Sequence, residues 1–257
     1  LAYYNHMWRE EAFLEEEFSK DFAKKFNMNF IFDRAPSNIN HSEESARDLR
    51  YDFLRKAAKE CASNVVLLAH NKDDNIETLI YRVLKGTSPK GLSAIPENRD
   101  IFYRPMLKIE KKDILNYLKE INQEYMIDNS NYDTKYKRNF IRSEIIPLFE
   151  KVNPNYKNAI DNLITTATYT NRIMDDIINK QTNAIKTDDK IIRSKYLALS
   201  LEYRYEILNL YLGDKLKYRD FKTIKKLDNF ILENPHSKTS LNKTEFLRTR
   251  KDKIFIE

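Results

Sequence analysis

The chain has 257 residues, 41% of them hydrophobic and 12% aromatic, which is enough to form the core of one large or two modest domains. A single cysteine, Cys61, excludes an intrachain disulfide, and four scattered histidines cannot complete a zinc site with it. The net charge of +6 is compatible with a polyanionic partner, but 45 basic residues are offset by 39 acidic ones, so the total identifies no partner.

The first half of the chain alternates short apolar runs with helical patterns. This rhythm predicts a parallel sheet covered by helices, which is an α/β fold. Ala46, Leu49, Phe53 and Ala57 recur on one face of a predicted helix and should pack on that sheet. The predicted order is a strand at 1–4, a helix at 9–26, a strand at 29–32, a helix at 42–61, a strand at 65–69 and a helix at 73–85.

The segment 87–108 contains three of the seven prolines, which predicts an irregular connection. Two helices are predicted after it, at 109–122 and 136–150. Pro147 should kink the second of them, because proline removes a backbone donor inside a helix.

The alternation of strands and helices stops after Asn153-Pro154. Three or four amphipathic helices are predicted from there to residue 233, followed by a final strand pair. We therefore predict a catalytic domain at 1–154 and a smaller helical domain at 155–257.

Glycine is scarce, with only Gly86, Gly91 and Gly213, and no two of them form a GxGxxG or GxxxxGK arrangement. A loop that wraps phosphates with backbone N–H groups needs such glycines. No phosphate loop of this kind is expected in the chain. Because the sequence begins at Leu1 rather than a methionine, and LAYYNH is typical of the end of a strand, we expect a segment upstream.

The helix predicted at 73–85 carries most of the chemistry. Its apolar residues predict a buried stripe made of Ile76, Leu79, Ile80, Val83 and Leu84. Asp74 and Glu77 lie off that stripe, just beyond the carboxyl end of a predicted strand, where open α/β sheets bind ligands. Two interpretations stay open: the carboxylates bind a ligand, or Asp74-x-x-Glu77 is a capping box.

Five stretches resemble one family in order and spacing. HNKDDNIET, from His70 to Thr78, resembles the HHxDDQxET motif of the N-type ATP pyrophosphatases, the PP-loop superfamily. LIYRVLKGTSPKGLSAIP, SARDLRYDFL, FYRPMLKIEKKDILNYL and DNSNYDTKYKRNFIRSEIIPLFEKVNP resemble motifs of the tRNA(Ile)-lysidine synthetases. The resemblance covers residues 44–154, while residues 155–257 fit that family's helical domain only loosely; the resemblance implies that 1–154 is a PP-loop catalytic domain and that 155–257 is a helical tRNA-binding domain. The family's SGGxDS phosphate loop has no counterpart in the chain.

The resemblance implies an adenine nucleotide alpha hydrolase-like fold and a two-step ligase reaction. ATP adenylates the C2 carbonyl oxygen of the wobble cytidine of tRNA(Ile) with a CAU anticodon, and pyrophosphate is released. The amine of free lysine then displaces AMP, which gives lysidine. ATP and Mg²⁺ are the implied cofactors, and tRNA(Ile) and lysine are the implied partners.

By the same resemblance, Asp74 and Glu77 are the catalytic carboxylates, and Asp74 is the candidate Mg²⁺ ligand. Whether they hold metal, the lysine ammonium or both stays open. Arg138 and Arg142, in the RNxIR motif, are expected to act in catalysis or in tRNA binding.

His70 and Asn71 are expected beside the ATP, although a histidine that ends a strand is commonly structural. The expected RNA-binding residues are basic or aromatic: Arg47, Arg50, Arg104, Tyr136 and Lys137. Two alternatives stay open for these residues. The arginines can belong to a solvated helix face, and the aromatic residues can form the interface with the helical domain.

Two other functions remain open from the sequence. A cytidine thiolase of the same superfamily would typically need paired cysteines, and the chain has only Cys61, which we expect in the core. A protein that binds tRNA without catalysis is the other. No membrane partner is expected, a homodimer is left open, and the expected compartment is the cytoplasm, or an organelle matrix if the source is not bacterial.

Overall fold

The computed structural model describes residues 1–7, 11–36, 43–126, 137–216 and 220–257. The chain forms two compact units, Leu1–Ala167 and Thr168–Glu257. The domain boundary expected at residue 154 stays a prediction. None of the helices in the described ranges is long and apolar enough to cross a membrane.

The first unit alternates strands and helices, as the sequence predicts. Its strands are β1 (Ala2–Asn5), β2 (Ile31–Arg34), β3 (Val66–Leu67), β4 (Asn98–Arg99) and β5 (Phe102–Tyr103). Its helices are α1 (Glu11–Lys25), α2 (Glu43–Glu60), α3 (Lys72–Lys85), α4 (Lys111–Glu120), α5 (Lys137–Phe140) and α6 (Ile146–Val152). Helix α7 (Tyr156–Ile185) begins in this unit.

Parallel pairing connects the strands that precede the helices. β1 pairs with β2, and β3 pairs with β5, in both cases in parallel, which confirms the α/β fold. β4 adds to β5 as an antiparallel edge. The connection at 87–108 is extended and mostly irregular, as the sequence predicts, and it also contains the two short strands β4 and β5; Phe102 is 2% exposed and anchors β5 in the core.

Helix α2 covers strands of both small sheets. Its Phe53, Leu54 and Ala57 form one apolar cluster with Phe102, and the partly buried Tyr4, Ile31, Val66 and Leu68 pack against that cluster. The predicted inner face of α2 is thus confirmed. Cys61, by contrast, is exposed in the turn that follows the helix rather than buried in the core.

Helix α3 buries only its first three turns. Ile76, Leu79 and Ile80 are 1%, 3% and 6% exposed, whereas Val83 and Leu84 are 52% and 64% exposed. The predicted stripe is wrong for these last two residues, which lie beyond the elements that pack on α3. Gly86 ends the helix with a φ of +80°, which only glycine adopts without strain.

A π-helical segment, Ile141–Ile145, joins α5 to α6 and stands where we predicted a kink. Pro147 is in the first turn of α6, where its missing N–H costs no helical hydrogen bond. The wide turn ends in a hydrogen bond from the Ile146 N–H to the Ile141 carbonyl, five residues back.

The second unit combines helices with a sheet. After the end of α7 it contains α8 (Arg193–Leu197), α9 (Leu201–Leu212) and α10 (Phe221–Glu233). Its strands are β6 (Lys186–Thr187), β7 (Lys190–Ile192), β8 (Ser237–Ser240), β9 (Phe246–Arg250) and β10 (Lys253–Ile256). The helical part and the terminal strand pair confirm the prediction, and the antiparallel order β6-β7-β10-β9-β8 extends it.

Candidate active site

The first turn of α3 is capped by its own side chains. The Asn71 side chain accepts a hydrogen bond from the Asp74 N–H (3.1 Å), and Asp74 Oδ2 accepts one from the Asn71 N–H (2.9 Å). This is a reciprocal capping box. The capping box that we considered, Asp74-x-x-Glu77, is therefore wrong by three residues, because the helix begins at Lys72. The observed capping box, made by Asn71 and Asp74, leaves Glu77 without a capping role.

Glu77 is 4% exposed and carries a two-point ion pair with Arg142. Arg142 Nε lies 2.7 Å from Oε1 and Nη2 lies 2.9 Å from Oε2. Nη2 is also 4.0 Å from Asp74 Oδ1. The neighbouring Ile141 packs against Ile76 of α3, which sets the π-helical segment beside the carboxylates.

Burial of Glu77 and its pairing with Arg142 shift the pKa of Glu77 in opposite directions. Burial raises the pKa of Glu77, and the hydrogen bonds and charge of Arg142 limit that rise. The hydrogen bond to Glu77 raises the pKa of Arg142 in turn. The predicted catalytic residues Asp74, Glu77 and Arg142 are therefore brought together in one site.

His70 lies half-buried just before the cap of α3. Burial lowers its pKa to about 4, and the charges of Arg104, Arg50 and Arg47 act in the same direction against that of Asp74. The imidazole is thus neutral at pH 7. Its Nδ1 is buried without a hydrogen-bond partner among the described residues, so a ligand that satisfied it would gain a hydrogen bond.

Three arginines that we predicted as RNA-binding surround Tyr51, which the prediction missed. Arg104 is 2% exposed and donates hydrogen bonds to the Tyr51 hydroxyl (3.0 Å) and the Pro96 carbonyl (2.9 Å). The guanidinium groups of Arg47 and Arg50 lie 5.4 and 5.9 Å from the Tyr51 ring centre. Its position in the SARDLRYDFL helix was the available signal for Tyr51.

Arginine charges lower the pKa of Tyr51. Burial raises the pKa of Tyr51, but its hydrogen bond with Arg104 and the charges of Arg104 and Arg47 outweigh it, so the pKa lies below its usual value. Arg104 Nε is buried without a hydrogen-bond partner in the described part of the chain. A cavity of about 310 Å³ opens here, and its lining includes four arginines and three aspartates: Arg47, Arg55, Arg99, Arg104, Asp48, Asp52 and Asp100.

Further arginines extend the positive region toward the carboxylates. The charge of Arg138 acts on the pKa values of Arg50, Arg82 and Glu77. Arg82, which we did not predict, donates to the carbonyls of Gly91 (3.0 Å) and Ala94 (2.6 Å). Of the other two predicted RNA contacts, Lys137 is exposed at the start of α5, and Tyr136 lies outside the described residues.

An ionic junction that the sequence did not predict adjoins the site. Lys157 Nζ lies 2.7 Å from Asp73 Oδ1 and 3.0 Å from Glu110 Oε2. Lys72 Nζ donates to Asn158 Oδ1 (2.9 Å). The starts of α3, α4 and α7 are therefore held together beside Asp74.

The carboxylates fit a metal ion in a limited way. No group of three or more Asp, Glu, His or Cys residues suited to a metal occurs in the ranges that the structure describes. Mg²⁺ commonly needs only one or two carboxylates when substrate phosphates supply the other ligands. Asp74 fits that role through Oδ1, whereas both oxygens of Glu77 are already engaged by Arg142.

Curated relatives of the chain carry the name tRNA(Ile)-lysidine synthase. The protein of Thermotoga sp. (strain RQ2) is 32% identical over 227 residues, which cover 84% of this chain and 55% of the relative. That of Thermotoga maritima is 29% identical over 261 residues, covering 95% and 63%. That of Petrotoga mobilis is 37% identical over 165 residues, covering 62% and 53%. The chain spans about half the length of these relatives.

A solved structure and a family model agree on the fold. The U34-tRNA thiolase NcsA from Methanococcus maripaludis, described with its [4Fe-4S] cluster, superposes with a TM-score of 0.53. The alignment is 15% identical and covers 65% of this chain and 61% of that one, so it concerns the fold alone. The family model of the ATP-binding PP-loop domain matches residues 1–149. The chain therefore belongs to the PP-loop domain family.

Proposed function

We propose that the chain takes part in the ATP-dependent ligation of lysine to C2 of the wobble cytidine in tRNA(Ile) with a CAU anticodon. The observation that carries the proposal is the group of Asp74, Glu77 and Arg142 at the start of α3, bordered by arginines. The names of the similar proteins support the same reaction. The proposed compartment is the cytoplasm.

The reaction needs two displacements. The C2 oxygen of the cytidine attacks the α-phosphorus of ATP, and pyrophosphate leaves with the electrons of the broken P–O bond. The lysine amine then attacks C2 and loses a proton, and AMP departs with the former C2 oxygen. Negative charge gathers on phosphate oxygens in the first step and on AMP in the second, so nearby guanidinium groups lower both barriers.

The geometry suggests separate roles for the carboxylates. Glu77 accepts hydrogen bonds from Nε and Nη2 of Arg142 and therefore acts as the positioning residue for that guanidinium. Asp74 keeps Oδ1 for a cation, either the ammonium of lysine or Mg²⁺ bound to the phosphates. Mg²⁺ would supply neutralisation of phosphate charge when bound.

The remaining predicted residues serve the polyanionic substrates in this proposal. The neutral His70, with its buried Nδ1, lies where a nucleotide can supply the missing hydrogen-bond partner, and Asn71 holds the helix end beside it. Arg138 adds charge next to Glu77. Arg47, Arg50 and Arg104, with Tyr136 and Lys137, are assigned to RNA.

The test is lysine-dependent release of AMP and pyrophosphate by the full product of the gene, with a tRNA(Ile) transcript bearing CAU. Asp74→Asn should lower that release at least about tenfold, because a charge-assisted hydrogen bond worth roughly 1.5 kcal/mol or more is lost. The matched control is Asp113→Asn, an exposed aspartate on α4 that should leave the release unchanged. A transcript in which cytidine 34 is replaced by uridine should give no product.

Two outcomes would replace the proposal. Sulfur transfer to the tRNA without a lysine requirement would identify a thiolase, although the one cysteine, Cys61, is exposed at the end of α2 and has no second cysteine to act with. Tight tRNA binding without release of AMP under any condition would identify a protein that binds tRNA without catalysis.

A further inference from the structure

Two aspartates stand next to each other in the first turn of α3, and the fold uses them differently. Asp74 caps its own helix through Oδ2 and keeps Oδ1 for a ligand. Asp73 instead contacts two other helices: its Oδ1 lies 2.7 Å from Lys157 Nζ of α7, and its Oδ2 accepts a hydrogen bond from the Lys111 N–H of α4 (2.7 Å). Both side-chain oxygens of Asp73 are therefore engaged within the chain.

The start of α4 is tied to the start of α3 by main-chain donors. The Lys72 N–H donates to the Ile109 carbonyl (2.9 Å), two residues before α4 begins. Asp73 accepts the first N–H of α4, so it serves as the terminal acceptor for a helix other than its own. Glu110, the N-cap residue of α4, makes no capping hydrogen bond with its own side chain. A displacement of Asp73 would therefore disturb the first turn of α3 and the start of α4 together.

Lys157 brings one ammonium group to both acidic side chains. Its Nζ lies 2.7 Å from Asp73 Oδ1 and 3.0 Å from Glu110 Oε2, and its side chain is 24% exposed. The preceding residue, Tyr156, is 6% exposed and packs in one apolar cluster with Ile76 of α3. This packing fixes the backbone that carries Lys157, so the ammonium is held against the first turn of α3.

Without the ammonium of Lys157, the ionic junction would contain two carboxylates that repel each other. Glu110 would keep a second cation, Lys112, whose Nζ lies 3.3 Å from Oε2. Asp73 has no second ion pair within the residues that the structure describes. It would become an open acidic site directly beside Asp74, and a cation from solution could then bind at either aspartate.

We propose that Lys157 is a positioning residue for the reaction. Its ammonium occupies Asp73 and thereby fixes the first turn of α3, so that the substrate cation binds at Oδ1 of Asp74. The inference rests on the proposed function, in which Asp74 holds that cation, either the ammonium of free lysine or Mg²⁺. Lys157 acts through Asp73 and takes no part in the chemical steps.

An ion pair that only stabilised the fold would affect the kinetics in a different way. Its loss would lower the fraction of active protein and hence kcat, while the half-saturating concentrations of all substrates stayed the same. A displaced Asp74 weakens the binding of one cation instead, because small errors in the position of a binding group are costly. The two roles are therefore separated by the half-saturating concentrations.

The experiment compares Lys157→Met with a matched variant, Lys108→Met, in the full product of the gene. Lys108 also links the segment before α4 to α7, through Asp161 at 2.9 Å, but it does not belong to the ionic junction. Circular dichroism checks that each variant is folded at the assay temperature. The quantities measured are kcat and the half-saturating concentrations of lysine, Mg²⁺ and tRNA.

Lys157→Met should raise the half-saturating concentration of lysine or of Mg²⁺ about tenfold and leave that of tRNA within about twofold. Lys108→Met should leave all three within about twofold of the parent. Lys157→Arg keeps a charge that can reach both carboxylates and should lie within about threefold of the parent. A lower kcat with unchanged half-saturating concentrations, or equal changes in the two methionine variants, would overturn the proposal.

Equilibrium binding makes the same comparison without turnover. Binding of free lysine is measured by calorimetry, and binding of Mn²⁺, as a substitute for Mg²⁺, by electron paramagnetic resonance. Affinity for one of these cations should fall about tenfold in Lys157→Met and not in Lys108→Met. The cation whose affinity falls is then the one that Asp74 holds. Unchanged affinity for both cations would contradict the proposal.

Asp73→Asn keeps the proposal testable even if Lys157→Met alone does not fold. Asparagine retains an oxygen for the Lys111 N–H and lacks the charge that pairs with Lys157. If the ammonium acts through Asp73, adding Lys157→Met to Asp73→Asn should change the cation affinity by less than about twofold. A further large loss in the double variant would show that Lys157 does not act through Asp73, which would refute the positioning role.

The inference and the proposed function fail separately in these tests. Should the parent release no AMP in response to lysine, the proposed function is wrong and the inference falls with it. Should the parent show lysine-dependent release while Lys157→Met behaves like Lys108→Met, the inference alone is wrong and the proposed function stands.

Discussion

Both side-chain oxygens of Glu77 accept hydrogen bonds from Arg142, although 65 residues separate the two in the chain. A buried carboxylate without this partner would carry an uncompensated charge. The pair therefore stabilises the first unit and also orients a guanidinium next to Asp74. A cation that binds Glu77 directly must first displace Arg142, which makes Asp74 the more accessible carboxylate.

Arg142→Gln should lower the free energy of unfolding by about 1–3 kcal/mol, because breaking a buried ion pair is costly and the partial exposure of Arg142 reduces the effect. This loss of free energy of unfolding should become smaller as the pH falls toward 5. In the variant the pKa of Glu77 rises further, so the folded state takes up a proton more readily than the unfolded state, and stability rises with acidity. Urea unfolding at several pH values measures this.

The double variant Glu77→Gln with Arg142→Gln should be more stable than Arg142→Gln alone, because no charge is left buried. Its stability should also depend less on pH. A double variant as unstable as the single one would mean that packing, rather than charge, explains the loss.

His70 should make the protein acid-sensitive between pH 6.5 and 4. Its folded pKa is lowered to about 4, while the unfolded chain binds the proton near 6.5, so stability is present above pH 6.5 and is lost as the pH falls through this window. Partial exposure limits the contribution to about 1–2 kcal/mol. Relative to the parent, His70→Asn should lose less stability in this range in urea titrations. His236→Asn, at an exposed position, is the control.

Asn71→Ala should cost about 1 kcal/mol, because it removes the side-chain acceptor that caps α3. Asn71→Ser keeps such an acceptor and should be nearly as stable as the parent. Chemical unfolding measures the stability, and ATP affinity is measured in parallel. A normal stability for Asn71→Ser combined with weakened ATP binding would establish a direct nucleotide contact for Asn71, beyond its capping role.

Lys157→Met should lower the free energy of unfolding at pH 7 by about 1–3 kcal/mol, because Asp73 and Glu110 lose their shared counter-charge. The hydrogen bond from Lys157 lowers the pKa of Glu110, so that part of the stability is present above pH 4.5 and is lost as the pH falls through the lowered value. The difference in the free energy of unfolding between the variant and the parent should therefore become smaller at acidic pH. Scanning calorimetry of the variant and the parent at several pH values measures this difference. Lys151→Met, at an exposed position of α6, is the control and should unfold like the parent.

The sequence predicts the order of strands and helices in the first unit because helical and strand spacings differ clearly there. It does not predict β4 and β5, which have two residues each and no alternating pattern. In the sheet of the second unit only the terminal strand pair was predicted, and the other strands were missed for a similar reason. Its β8 reads SKTS, a polar sequence that becomes a strand only because β9 lies beside it.

The candidate site was predictable where residues lie close together in the chain. Asp74 and Glu77 are one turn apart, and their position at the start of a helix was readable. The pairing of Glu77 with Arg142 could not be predicted from the sequence, because a pairing over 65 residues depends on how the π-helical segment packs on α3. Burial of Glu77 was missed for the same reason: an acidic residue is buried when a distant cation compensates it.

The π-helical turn has a consequence for how this segment tolerates changes in length. Ile141 is buried against Ile76, and Ile146 packs against the same cluster although it lies five residues further on, a spacing that an α-helix would turn by about 100° relative to a four-residue step. Deleting one residue of the wide turn, such as Ser143, would leave Ile146 four residues after Ile141, a spacing that keeps both on one face of an ordinary α-helix, so Ile146 could stay buried with Arg142 on Glu77. Forcing the present sequence into an unbroken α-helix would instead turn Ile146 about 100° away from the cluster. The phase of this helix, and not only its residues, is thus part of the site.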